Sequence, residues 1–246
     1  MSANSIAEKF EVIADSVYKN GIIDERKRFG INYQHNGNRF NYSYAYAGSG
    51  WTEETFFPEL DIVVTESAIY MFYQNQIEGL DLRPKQFKEK YGVNIDLSRA
   101  TNRTQMIAWS NVVALGTIDA MSTTNGLYYS CYGASKLKII EKIIMPAEDD
   151  TTINVGYAFD SCIALEEVYF DGVIAVSINF QWCPLIKASL ENIGEHLSTT
   201  ATGKTVIFKK SAVNAAFGVN VDDVSTYTDE FNEWRNSRKN WTFNYV

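Results

Sequence analysis

The chain has 246 residues, 46% of them hydrophobic and 21% charged, with a formal net charge of −8. That much apolar material excludes a disordered chain and is enough for one elongated domain or two small ones. The acidic balance, with no run rich in Lys or Arg, argues against a nucleic-acid surface, so no nucleic acid is expected among the partners.

The first segment, residues 1–32, is predicted to be helical over 4–29. Ile6, Phe10, Ile13 and Val17 follow the i, i+4, i+7, i+11 spacing of one apolar stripe, and Ser5 is placed to cap its start. Two roles stay open for this helix: a cap over the first packed unit, or an element that sets several copies side by side. The opening MSANSIAEKFEVIADS has no basic stretch followed by an apolar core, so no secretory signal is expected. No stretch reaches the ~18 apolar residues of a membrane span, so no membrane insertion is expected.

Residues 33–57 form an aromatic, glycine-containing connecting segment. Tyr42, Tyr44 and Tyr46 alternate at period two, as on one face of a strand. An exposed aromatic row there would suit sugar or protein, whereas a buried one would cover the open end of the stacked units after it.

Residues 58–208 carry a recurring phrase. Phe159, Cys162, Leu165 and Val168 read F-x-x-C-x-x-L-x-x-V, and Phe180, Cys183 and Ile186 repeat it 21 residues on. Tyr128 and Cys131 are expected to open the same unit, with Leu137, Ile140 and Ile143 delayed by an insertion. Further upstream, 70–82 and 105–118 share Met71 and Met106, a polar loop, and then Leu80 or Leu115, with Asn75 and Ser110 near the cysteine position. A short phrase returning at irregular intervals predicts stacked units, each with a short strand paired in parallel to the next, because no unit can bury its apolar side alone. The cysteine position then reads as a rung of a core ladder, where a small apolar thiol can donate weakly to nearby backbone. The three cysteines are accordingly expected as buried free thiols and not as disulfides.

Within this run, 84–91 is predicted as a short helix opened by Pro84. Residues 187–197 are predicted as another, with Leu190, Ile193 and Leu197 inward, and 205–208 as a strand. Residues 209–246 are expected to form a terminal cap: a helix over 226–240 with Phe231 and Trp234 buried, then a strand over 241–246.

YAFDSCIALEEVYF resembles the unit of BspA-like leucine-rich repeats. QHNGNRFNYSYAYAGSGWTEETFFPELDIV, FDSCIALEEVYFDGVI, WCPLIKASLENIGEHLSTTATGKTVIF and FNEWRNSRKNWTFNYV resemble the repeat proteins encoded in phage and prophage structural regions of gut Firmicutes. The resemblance implies an α/β fold: an irregular leucine-rich-repeat solenoid with short parallel strands, an N-terminal helix and a C-terminal helix-strand cap. It implies a binding or structural role, as a virion tail or baseplate component that recognises the bacterial host, released to the outside on lysis. A secreted or surface adhesin and a purely structural virion component are the alternatives. The partners would be a bacterial surface protein or glycan, or other virion proteins, with a homo-oligomer possible.

No enzyme is expected, and no cofactor or metal. His35 and His196 lack a Ser or Cys at a motif spacing. Glu148, Asp149 and Asp150, and likewise Asp222 and Asp223, lack the ligand order of a calcium loop. GKT at 203–205 lacks the upstream glycine of a phosphate loop. The candidate contact residues are aromatics with a chance of exposure: Tyr44, Trp51, Tyr73, Trp109 and Trp182.

Overall fold

Short apolar runs bounded by polar turns make parallel strands here, because each run can bury itself only against an equivalent run from another part of the chain. The computed structural model describes residues 46–48, 56, 61–64, 67–122 and 126–246. Over these residues the protein is a mixed α/β structure in which every strand pairing is parallel. In chain order the elements are β1 (Ile62–Val63), β2 (Leu80–Leu82), α1 (Pro84–Tyr91), β3 (Ile95–Asp96), β4 (Val112–Asp119), β5 (Ile139–Ile144) and β6 (Glu167–Asp171). After these come β7 (Ile178–Phe180), α2 (Lys187–His196), β8 (Lys204–Phe208), α3 (Lys210–Phe217), α4 (Asp229–Asn236) and β9 (Trp241–Tyr245). The predicted N-terminal helix lies outside the described residues, as does the segment 33–57 apart from Tyr46, Ala47, Gly48 and Phe56. Among the described residues no helix is long and apolar enough to cross a membrane.

The strands form three sheets, β1-β3, β2-β4-β5-β6 and β7-β8-β9. In the central sheet Leu82, Leu115, Ile140 and Val168 share one register, and all are buried. The free edge of β6 is closed by α2. Ser189 Oγ accepts from the Val168 N–H at 3.0 Å and donates to the Glu166 carbonyl at 3.2 Å. Asn192 accepts from the Phe170 N–H at 2.6 Å and donates back to its carbonyl at 3.3 Å. Two side chains three apart on one helix face thus do what a neighbouring strand would do, and the edge is not left open to foreign pairing.

A second ladder is built from turns. The Phe72 N–H donates to the Met106 carbonyl, Ile107 N–H to Ser130 and Cys131 N–H to Ala158. This parallel pairing sets Phe72, Ile107, Cys131 and Phe159 on one buried rung. Tyr46 joins it above, its ring stacked on Phe72 at 5.1 Å. Phe180 stacks on Phe159 at 4.9 Å, and Phe208 on Phe180 at 6.1 Å, so the ladder continues into β7-β8-β9.

The side chain three residues past this rung often donates to the rung before. Asn75 Nδ2 donates to the Tyr46 carbonyl at 2.9 Å, Cys162 Sγ to Cys131 at 3.1 Å and Cys183 Sγ to Phe159 at 3.6 Å. Asn75 and Ser110 do occupy the cysteine position of their segments, Ser110 donating to Ile107 at 2.6 Å. Cys131 does not. The ladder places Cys131 opposite Phe159, and Ala134 stands where Cys162 stands one segment later. The expected equivalence of Tyr128–Cys131 with Phe159–Cys162 is therefore off by three residues. The expected insertion before Leu137 disappears with it, since Leu137 follows Ala134 as Leu165 follows Cys162. All three thiols are free and buried. Burial pushes the Cys131 thiol up to about 12 and raises the other two as well.

Beyond β8 the structure adds α3, a helix absent from the sequence-based expectations. The expected helix over 226–240 is shorter, running Asp229–Asn236. Thr228 caps it by accepting from the Phe231 N–H at 3.1 Å, with Asp229 and Glu230 in its first turn. Phe217, Phe231, Trp234 and Phe243 gather beyond Phe208, with Trp234 5.6 Å from Phe208 and 4.8 Å from Phe217. Trp234 Nε1 donates to the Leu190 carbonyl at 3.0 Å, which requires close approach at Gly194, where a Cβ would lie 2.6 Å from that nitrogen.

Candidate functional site

Each segment of the turn ladder contains two tight turns in succession. Met71 N–H returns to Ala68 and Asn75 N–H to Phe72. The same pair recurs as Met106 to Arg103 and Ser110 to Ile107, as Ser130 to Leu127 and Ala134 to Cys131, and as Ala158 to Val155 and Cys162 to Phe159. The third position of every one of these turns has a positive φ, as a type II turn demands. The positions are Tyr70, Gln105, Tyr129 and Tyr157 in the first turns, and Gln74, Trp109, Gly133 and Ser161 in the second. Glycine is the residue that takes this conformation without cost. Only Gly133 among these eight is glycine, and every non-glycine residue with positive φ among the described residues stands at one of them. Such a conformation costs about 1–3 kcal/mol for a residue with a side chain.

The side chains held at this cost are mostly rings, and they meet. Tyr129 stacks on Tyr157 with centroids 4.7 Å apart and a 26° interplanar angle. Tyr128 stands edge-on to Tyr129 at 4.5 Å, and Tyr132 lies tilted against Tyr129 at 5.0 Å. Trp109, from the preceding segment, meets Tyr132 edge-on at 5.1 Å. Tyr70 and Tyr73 form a further edge-on pair at 5.1 Å. Trp109 is 48% and Tyr157 56% exposed, and Tyr128, Tyr129 and Tyr132 are half-buried. Gly133 is the exception for a steric reason: a Cβ there would lie 2.7 Å from the Trp109 ring, so the indole rests on bare backbone. Packing by the surrounding phenols raises the Tyr129 hydroxyl above its ordinary value, through desolvation first and then the neighbouring phenols.

Of the sequence-derived contact residues, Trp109 lies in this cluster and Tyr73 in the adjoining pair. Trp182 is 47% exposed, just before Cys183, and belongs to neither. Tyr44 and Trp51 lie outside the described residues. Sequence reasoning missed Tyr128, Tyr129, Tyr132 and Tyr157. A signal was present: Tyr70, Tyr129 and Tyr157 each stand two residues before a buried rung, at Phe72, Cys131 and Phe159. Setting Cys131 in the wrong register hid it.

A concavity of about 540 Å³ lies at the end of α2 between Glu148, Asp149, Gly172, His196, Ser198, Thr200 and Arg238. Its polar groups serve the fold. His196 Nδ1 lies 2.7 Å from the Gly172 carbonyl, which can only accept, so that nitrogen carries the proton. Arg238 donates to the carbonyls of Leu197 and Glu195, both at 2.7 Å, and satisfies the end of α2 with a cation. Asp149 accepts from Thr200, and the hydroxyls of Ser198 and Thr200 hold its carboxyl below the usual range. Ser198 Oγ accepts from the N–H groups of Thr200 and Ala201 and is not poised as a nucleophile. Asp150 and Asp223 likewise accept from the residues two positions on, Thr152 and Ser225. Among the described residues no three His, Cys, Asp or Glu side chains converge as metal ligands.

No family model matches this chain, and no curated protein or solved structure does either.

Proposed function

We propose that the protein is a non-enzymatic recognition protein whose stacked segments form an irregular leucine-rich-repeat solenoid of the BspA-like kind. Two parallel ladders sharing the same segments, with intervals such as the 21 residues from Cys162 to Cys183, support that architecture. In this reading it is a virion surface component of a phage or prophage, at a tail or baseplate, that contacts the bacterial host. The likeness of residues 34–63, 159–174, 182–208 and 231–246 to phage-encoded repeat proteins supports the setting. The contact face is the aromatic cluster of Trp109, Tyr128, Tyr129, Tyr132 and Tyr157.

One observation carries the recognition role. Side chains occupy seven of eight positions where glycine would spare the backbone strain, and four of those side chains are exposed or half-buried rings. Strain retained at a surface, where core packing gains little from it, points to contact with something outside the chain. A rigid ring surface also loses little freedom on binding, and several copies on one particle would add avidity.

Co-sedimentation with envelopes of gut Firmicutes tests the role. The wild-type chain is expected to be retained, and a Trp109→Ala/Tyr129→Gly/Tyr157→Gly variant to lose roughly tenfold or more in affinity, about 1.4 kcal/mol. The variant must still unfold cooperatively in urea. Equal retention of both chains, or of neither, would overturn the assignment.

A further inference from the structure

We infer that the aromatic face binds an uncharged glycan chain, an inference that rests on the proposed recognition role and names its ligand class. The four turn segments 68–75, 103–110, 127–134 and 155–162 contain two charged residues, Arg103 and Asp160. Arg103 is buried, so Asp160 is the one charge these segments offer at the surface, on a chain that is 21% charged as a whole. A polyanion would need cations here and meets none in these segments, and the net charge of −8 would repel it.

The polar groups of the face stand among the rings. Gln105 occupies the same turn position as Tyr70, Tyr129 and Tyr157, and Gln74 the same position as Trp109. Thr104, Ser161 and Asp160 add hydroxyls and a carboxylate within the same segments. A protein interface usually gathers an apolar core and surrounds it with a polar rim. A sugar ring instead presents an apolar C–H face and, at its edge, hydroxyls that need partners within a ring's width. Rings flanked by amides and hydroxyls, with Gln74, Thr104, Gln105 and Ser161 on the segments either side of the three tyrosines of 127–134, suit that second kind of ligand.

The arrangement is also a track. Trp109, Tyr132, Tyr129 and Tyr157 follow one another at 5.1, 5.0 and 4.7 Å. They come from three stacked segments, and stacked segments repeat at about 4.8 Å. That repeat matches the scale of successive sugars in a polymer and not a single monosaccharide pocket.

The test uses the full chain and three preparations of the same envelopes: untreated, protease-digested, and oxidised with periodate, which cleaves the vicinal diols of sugars. Retention is expected on untreated and protease-digested envelopes and a loss of at least tenfold on oxidised ones. It should change less than twofold between low and high salt, since no charge pairing is involved. The Gln74→Ala/Gln105→Ala variant, which leaves every ring in place, should bind several-fold more weakly with an unchanged urea midpoint. Retention that survives periodate and is lost to protease would overturn the glycan and leave the recognition role standing. Periodate-sensitive retention that rises with salt would identify a phosphate-bearing polymer and overturn the neutral ligand. No retention on any untreated envelope would remove the recognition role and this inference together.

Discussion

The strand ladder β2-β4-β5-β6 and the turn ladder are made from the same stretches of chain, yet they use the backbone differently. The strand ladder keeps ordinary extended geometry, buries Leu82, Leu115, Ile140 and Val168, and faces outward with charge. Its outer pairs, Arg83 with Asp81 at 2.6 Å and Lys142 with Asp171 at 3.4 Å, are common surface ion pairs. The turn ladder holds positive φ at eight positions, faces outward with rings, and buries a rung of aromatics and thiols. One ladder is what apolar strands do whenever they can stack. The other retains strained positions that glycine would relieve, and four of them carry exposed or half-buried rings.

The largest expected effect concerns the thiols behind the turn ladder. In an unfolded chain they ionise near pH 9, while burial raises all three in the folded protein, Cys131 to about 12. Below pH 9 both states hold these protons and stability does not depend on them. Above it the unfolded state binds fewer protons, so stability should fall by about 1.4 kcal/mol per pH unit for each thiol. Urea midpoints from pH 8 to 10.5 would show it, and a slope unchanged in Cys131→Ala would refute the assignment to that thiol.

Next comes the buried rung itself. Phe180→Ala removes a ring stacked between Phe159 and Phe208 and should cost about 3–5 kcal/mol in urea unfolding. A loss under about 1 kcal/mol would mean that the aromatic rung is not core. On the outer side of the same ladder, Gly133→Ala adds a Cβ at φ +68° and 2.7 Å from Trp109. It should destabilise by about 1–3 kcal/mol and shift the tryptophan fluorescence. The smallest effect belongs to the outer side of the strand ladder. Lys142→Ala breaks an exposed ion pair and should change stability by less than about 0.5 kcal/mol. If Gly133→Ala and Lys142→Ala proved equally mild, the contrast between the two outer surfaces would fail.

Local chemistry marked several elements in advance. Pro84 opens α1, and Gly92 closes it at φ 76° with its N–H on the Lys88 carbonyl, so the helix bounds were readable from the chain. Phe159, Cys162, Phe180 and Cys183 announced their own rung by repeating. α3 was not readable: Lys209 makes no side-chain cap, and Ala212, Val213 and Phe217 show their common face only once the cap exists to bury it.

The sequence by itself therefore determined that short apolar phrases recur, that they must stack in order to bury themselves, and which thiol and aromatic rungs at 159–183 lie inside. Tertiary structure alone decided the register of Cys131, because several alignments satisfy a loose aromatic-and-cysteine phrase and only the backbone ladder selects one. It alone assembled the aromatic face as well. Trp109, Tyr132 and Tyr157 are 23 and 25 residues apart in the chain, and they join one surface because the backbone turns left-handed at Tyr129 and Tyr157 in the first turn of their segments and at Trp109 in the second turn of its own. A turn's φ and a neighbour across a ladder are properties of the stack, not of any segment within it.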